Sequence, residues 1–184
     1  MNKYVRAMID LPTAMMKKGF LKLCHKDLFI ISGVSFISPL SEMTVEKDAK
    51  VTIGKYFRQR SQSRIRVRKN ATLELGDNIS LNHGCMIVTR DTIKIGDGVQ
   101  FGPNVLLYDH DHDYKAIGGI SSGKYKTQPI EIGGNVWLGA GVIVLKGSKI
   151  GANSVVAAGS IVRGEFPENS LIYQPKETKV SQNS

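Results

Sequence analysis

This chain of 184 residues is short of the features that most quickly classify a protein. It has only two cysteines, Cys24 and Cys85, in no paired spacing. That excludes a disulfide framework and a cysteine zinc knuckle, and it favours a reducing compartment. No apolar run approaches the length of a membrane-spanning helix. The first twenty residues, "MNKYVRAMIDLPTAMMKKGF", lack the uninterrupted apolar stretch of a secretory signal. A soluble, cytoplasmic protein without membrane contact is therefore expected. Aromatics do not interleave with the basic residues, and no nucleic-acid motif is present, so nucleic acid is not an expected partner.

Acid is scarce in the first part of the chain. Residues 1–70 hold 15 Lys and Arg against 5 Asp and Glu, while residues 71–184 hold 10 against 11. A basic half of this kind could face nucleic acid, an anionic membrane surface or an anionic small molecule, or could simply be a solvated face. Arg64, Arg66 and Arg68 alternate and would share one face of a strand.

What the chain does have is a period of six. From Ile130 onward, "PIEIGGNVWLGAGVIVLKGSKIGANSVVAAGSIV" places Ile132, Leu138, Val144, Ile150, Val156 and Val162 six residues apart. Two positions before each stands an apolar or small residue: Ile130, Val136, Val142, Ser148, Ser154 and Ser160. Gly133, Gly139, Gly151 and Ala157 follow the large aliphatics. This period fits neither a helix nor a long alternating strand. It fits a short strand, a corner and a repeat, three hexads closing one coil whose aliphatics stack inward. Small residues at the corner let the next coil pass where a Cβ would crowd it.

Upstream, Ile53-Gly54, Leu75-Gly76 and Ile95-Gly96 extend the pattern to Ile132-Gly133 and Ile150-Gly151, with spacings of 22, 20, 37 and 18. The first two are a coil with small corner bulges. The 37 implies a long excursion between Leu107 and Ile130, and the stretch "DHDHDY", Asp109 to Tyr114, sits where the chain departs. The expected organisation is a helical N-terminal segment over 1–30, a β-helix over 31–172 with an extruded loop at about 109–129, and a tail over 173–184.

The segment from about Leu73 to Val162 resembles the hexapeptide-repeat acyltransferases, and within them the galactoside and maltose O-acetyltransferase branch. The resemblance rests on the repeat block, on "IKIGDGVQFGPNVLLYDHDHDY" and on the excursion. It implies an all-β, left-handed parallel β-helix that forms a homotrimer, with active sites between subunits. It also implies acetyl-CoA as co-substrate, no metal, and transfer to a sugar hydroxyl. The "YDHDHDY" form of the loop is most similar to the O-acetyltransferases of bacterial surface polysaccharides. An N-acetyltransferase acting on an amino sugar is the close alternative. A nucleotide- or lipid-linked acceptor would suit the basic first part.

By the same resemblance, His110 is the general base, a role for which the imidazole pKa is suited. Asp109 and Asp111 are possible supports. The backbone amide of Ala140, after the Trp-x-Gly of "VWLGA", would donate to the oxyanion. Trp137, Gly139, Ala140 and Ala158 would line the pantetheine arm, and Trp137 could equally be an exposed aromatic at a subunit contact. Arg163 would lie near the nucleotide end of the co-substrate. The tail "YQPKETKV" departs from the family pattern: Glu177 stands where a basic residue is usual, so Lys176 or Lys179 would have to compensate. His112 has no counterpart and could orient substrate. Asn82 and His83 could line the acceptor pocket or face solvent.

Two other classes share the expected architecture. His83, His110 and His112 could be zinc ligands, as in the γ-class carbonic anhydrases, but that family calls for His-x-x-x-x-His where this chain has His-x-His. A non-catalytic scaffold is the other, and it would have no need of a histidine-bearing excursion.

Overall fold

The computed structural model describes residues 3–175 and 177–181. A helix, Lys3–His25, precedes a three-faced parallel β-helix. Each coil contributes one strand to each face, except that the last supplies none to the third, and the strands of successive coils pair in parallel. The first face runs from Phe29–Ile31 through Thr92–Ile95 and Ile130–Ile132 to Glu165–Phe166. The second runs from Ser35–Ile37 through Trp137–Leu138 to Leu171–Ile172. The third runs from Glu42–Val45 through Leu106–Tyr108 to Ile161–Val162.

The period of six has a direct structural meaning. Ile132, Leu138, Val144, Ile150, Val156 and Val162 are all buried, as are Ile130, Val136 and Val142 two positions earlier. Alternate residues along each short strand point outward, so the core is a column of aliphatics stacked about 4.8 Å apart along the axis. The serines of the later companion positions are also buried, and Ser148 donates its hydroxyl to the carbonyls of Leu145 and Val162. The corners need a left-handed backbone, and asparagine supplies it repeatedly, for example at Asn135 and Asn153 with φ 57°. These two are stacked neighbours, the Asn135 amide donating to the Asn153 side chain at 3.3 Å. At the ends of several first-face strands the coils approach closely. A Cβ on Gly133 would lie 2.5 Å from the Ala152 nitrogen.

The N-terminal helix packs on Phe29–Ile31 and Ser35–Ile37, with Ala14 and Leu21 joining the core. Its Lys17 ammonium donates to the Ser38 carbonyl at 3.1 Å and the Ser41 carbonyl at 2.6 Å. At the other end the Gln174 side chain hydrogen-bonds both backbone groups of Ile161 at 3.1 Å, continuing the ladder beyond the last coil. Among the described residues no helix is long and apolar enough to cross a membrane.

The excursion is a hairpin. His110–His112 pairs antiparallel with Tyr125–Thr127, in the register His110 with Thr127 and His112 with Tyr125. A short 3-10 turn, Gly119–Ser122, lies between them. The chain leaves the β-helix at Asp109 and re-enters it at Ile130, one coil on.

Candidate active site

Asp109 occupies the corner at which the excursion begins, and it is completely buried. Its carboxylate is the acceptor for a ring of donors. The Thr89 hydroxyl donates at 2.6 Å, the Arg90 amide at 2.9 and 3.0 Å to the two oxygens, and the Asp91 amide at 2.8 Å. The His110 Nδ1 lies 2.9 Å from Oδ1. Burial pushes the Asp109 carboxyl upward, but the hydrogen bonds from His110, Thr89, Arg90 and Asp91 outweigh it and hold the pKa below its ordinary value.

An ionised carboxylate can only accept, so the His110 Nδ1 carries the hydrogen and Nε2 keeps the lone pair. The ring is only 12% exposed. Tyr108 and Tyr125 meet it edge-on, with centroids 6.1 and 5.5 Å away. The arrangement is a histidine with one tautomer selected, its orientation set by a buried anion and two aromatic walls. It can take a proton from a group placed at Nε2 and return it.

Asp111 is not brought to His110. Its carboxylate is 3.1 Å from the ammonium of Lys146, which also donates to the Lys126 carbonyl at 3.2 Å. The physical reason is alternation: from His110 onward the chain is a strand, so Asp111 takes the opposite side. Asp109 escapes that rule because it belongs to the corner, not to the strand. His112 shares a face with His110 and stacks at a tilt on Tyr125, with centroids 4.5 Å apart.

The other candidate residues stand elsewhere. Asn82, His83, Gly139, Ala140 and Ala158 all lie at corners between the second and third faces, with the Gly102 corner between the first pair and the rest. The Ala140 and Ala158 amides stack on Gly102 and Gly139, where a Cβ would come within 2.7 and 2.6 Å of those nitrogens. Neither amide has a hydrogen-bond acceptor among the described residues, and both alanines are exposed. Trp137, on the second face just before this corner, is 57% exposed. The Asn82 side chain accepts from the His83 amide at 2.9 Å, and the His83 Nδ1 is 2.7 Å from the Ser61 hydroxyl.

Asp109, His110, Lys146 and Arg163 lie instead at corners between the third and first faces. With about six residues at roughly 3.3 Å each along the third face, the two columns are on the order of 15–20 Å apart. Within one chain, His110 and the Ala140 amide cannot act on the same atom. Arg163 and Lys179 are exposed, and Lys176 lies outside the described residues. Among the described residues no three His, Cys, Asp or Glu side chains of the chain form a group able to hold a metal ion. Arg66 is held by Glu42 at 2.7 and 3.0 Å and Arg68 by Glu46 at 2.7 Å, so this face is largely neutralised within the chain.

Sequence reasoning passed over Thr89, Arg90 and Tyr125. Thr89 precedes Asp109 by 20 residues, the same interval as Leu75 to Ile95, so the coil length was the signal that stacks one on the other. The Arg90 guanidinium lies 3.5 Å from the centroid of the Tyr125 ring, a contact made across the excursion that no spacing announces.

Residues 129–164 match the family described as bacterial transferase hexapeptide (six repeats). Over that segment the chain is similar to the hexapeptide-repeat transferases. Among these, galactoside O-acetyltransferase of Escherichia coli K12 is 37% identical over 103 residues, which is 54% of this chain and 48% of that protein. A second protein of the same organism, provisionally named as the lipopolysaccharide biosynthesis O-acetyl transferase WbbJ, is 29% identical over 136 residues, 70% of this chain and 69% of that one. The chain spans about half the length of the first curated relatives it matches. The fold is also that of AntD, an N-acyltransferase from Bacillus cereus solved with dTDP and 3-hydroxybutyryl-CoA. That structure superposes with a TM-score of 0.64 at 16% identity, covering 83% of this chain and 80% of the other.

Proposed function

We propose that this hexapeptide-repeat protein transfers an acetyl group from acetyl-CoA to a sugar hydroxyl, with His110 as general base. The observation that carries the reading is the Asp109–His110 pair at 2.9 Å, with the carboxylate fully buried. The His110 Nε2 takes the hydroxyl proton as the oxygen attacks the thioester carbonyl carbon. The resulting oxyanion accepts from the Ala140 amide. Collapse breaks the carbon–sulfur bond, and the imidazolium returns its proton to the departing CoA thiolate. Base assistance of this kind is typically worth about 10²- to 10⁴-fold, and an oxyanion donor about 10²- to 10³-fold.

The separation of the His110 corner from the Ala140 corner supports a site assembled between subunits, with His110 from one protomer facing Ala140, Trp137 and His83 of the next. A homotrimer supplies three such clefts. Acetyl-CoA then lies along the column of Ala140 and Ala158 toward Lys179, with Arg163 reaching it from the His110 column of the neighbouring protomer, and Asn82, His83 and His112 contact the acceptor. Relatives named for galactosides and for lipopolysaccharide support a glycan acceptor, with a surface-polysaccharide precursor as the specific reading.

The test is His110→Ala, followed by CoA release with a panel of galactosides and nucleotide sugars. Turnover should fall at least about a hundredfold while acetyl-CoA binding is retained. Near-normal turnover would end the assignment of the base. Absence of acetyl-CoA binding in the folded wild type would end the acetyltransferase reading.

A further inference from the structure

The N-terminal helix is mounted the wrong way round for a helix on a packed core. An amphipathic helix ordinarily turns its apolar stripe to the core and its charges to water. Here Asp10 is buried and Lys17 is spent on the carbonyls of Ser38 and Ser41, while Ala14 and Leu21 are the buried apolar residues that the helix adds to the core. The bulky apolar residues face outward: Met8 76% exposed, Met15 73%, Met16 76%, Phe20 66% and Leu23 81%. At 3.6 residues per turn they span an arc of about 140°, and no Lys, Arg, Asp or Glu falls inside it.

Cations border the arc on both sides. Lys18 and Lys22 lie one turn apart along one edge and continue to Lys26 beyond the helix, lining a shared cavity. On the other edge Arg6 joins Arg58 and Arg60 around a cavity of about 380 Å³. Acid offsets them only in part. Of the five acids in the first 70 residues, Asp27 lines the first cavity against three lysines and Asp10 the second against three arginines, while Glu42 and Glu46 hold Arg66 and Arg68.

We propose that this helix docks the protein, lying flat, on an anionic lipid surface. The apolar arc enters the boundary between headgroups and acyl chains, and the lysine and arginine edges meet lipid phosphates. The helix is not apolar enough to span, so the contact is reversible and in the plane of the surface. The sequence left an anionic membrane surface open for its basic half but did not point to this helix, because its apolar positions look like those of any core-facing helix. A second copy of the chain is a poorer occupant: it would bring two cationic edges of the same sign together. The proposal is independent of the acetyl-transfer reading, since it involves none of the residues placed in that site.

The experiment is co-sedimentation of the full chain with phosphatidylcholine vesicles, with and without phosphatidylglycerol, at low and high salt. The oligomeric state is followed in parallel by analytical ultracentrifugation. The protein should bind the anionic vesicles and release them at high salt. Phe20→Glu with Leu23→Glu should abolish binding while leaving the oligomer and the circular dichroism unchanged. Lys22→Glu should weaken binding roughly fivefold or more, as expected for one cation near an anionic surface. Failure of the wild type to bind anionic vesicles overturns the proposal. So does equal binding by the Phe20→Glu, Leu23→Glu variant. Dissociation of the oligomer in that variant would assign the stripe to contacts between copies and would equally overturn it.

Discussion

Arg90 reaches across from the β-helix and sets its guanidinium carbon 3.5 Å from the centre of the Tyr125 ring, on the returning strand of the excursion. The same residue's backbone amide donates to both oxygens of Asp109. One residue therefore ties the histidine's anion to the far side of the hairpin. A cation on an aromatic face contributes about 0.5–2 kcal/mol, depending on desolvation. Here the buried Arg90 Nε has no hydrogen-bond partner among the described residues, so the ring is its main compensation. Arg90→Ala should leave this residue's own bonds to Asp109, which come from its backbone amide, and loosen the hairpin. Hydrogen exchange at residues 110–127 should quicken selectively, while the amides of the third face stay protected. Unchanged exchange in the hairpin would show that Tyr125 is held by something else.

The buried anion makes a second prediction. Asp109→Asn keeps the shape but offers an amide where His110 needs an acceptor, so the ring can settle in the wrong tautomer. Turnover should fall by at least about a hundredfold, chiefly in kcat, with acetyl-CoA affinity little changed. A loss confined to KM would instead mean that Asp109 serves the architecture of the acceptor pocket.

The same carboxylate governs acid stability. Its folded pKa lies below the ordinary carboxylate value of about 3.9, so it binds protons less readily folded than unfolded. Its contribution is present above that ordinary value and is lost as pH falls through the lower folded one. Comparing denaturant midpoints of wild type and Asp109→Asn across pH should show a gap that is constant near neutrality and closes in that acid window. A gap independent of pH would contradict the charge as its source.

Two glycines should respond in opposite directions. Gly133→Ala drives a Cβ to 2.5 Å from the backbone nitrogen of Ala152, and backbone cannot step aside. A loss of about 1–3 kcal/mol is expected from thermal or denaturant unfolding. Gly19→Ala, in the helix with nothing within 4 Å, should gain about 0.5–1 kcal/mol. Equal effects at both sites would mean that the coils are not stacked as closely as described.

Much of this protein could be read from spacing alone. Inward-facing residues six apart in sequence can share one core only if the chain turns a corner between them, so the aliphatics from Ile132 to Val162 dictate a coil by their spacing. The break of 37 residues dictates that something leaves it. The choice between Asp109 and Asp111 was not readable in that way. Both flank His110, and only the point at which corner becomes strand decides that the first is buried against the imidazole while the second crosses to Lys146.

The sequence by itself determined the repeat, its core and the place of the excursion, because those follow from local periodicity and the need to bury aliphatic side chains. Tertiary structure alone decided which carboxylate serves His110 and that the Ala140 amide stands at the opposite corner. It also decided that the N-terminal helix turns its apolar side outward. Each of these depends on which surfaces meet when coils stack and a helix docks. A pattern of residue types along one chain carries no record of that.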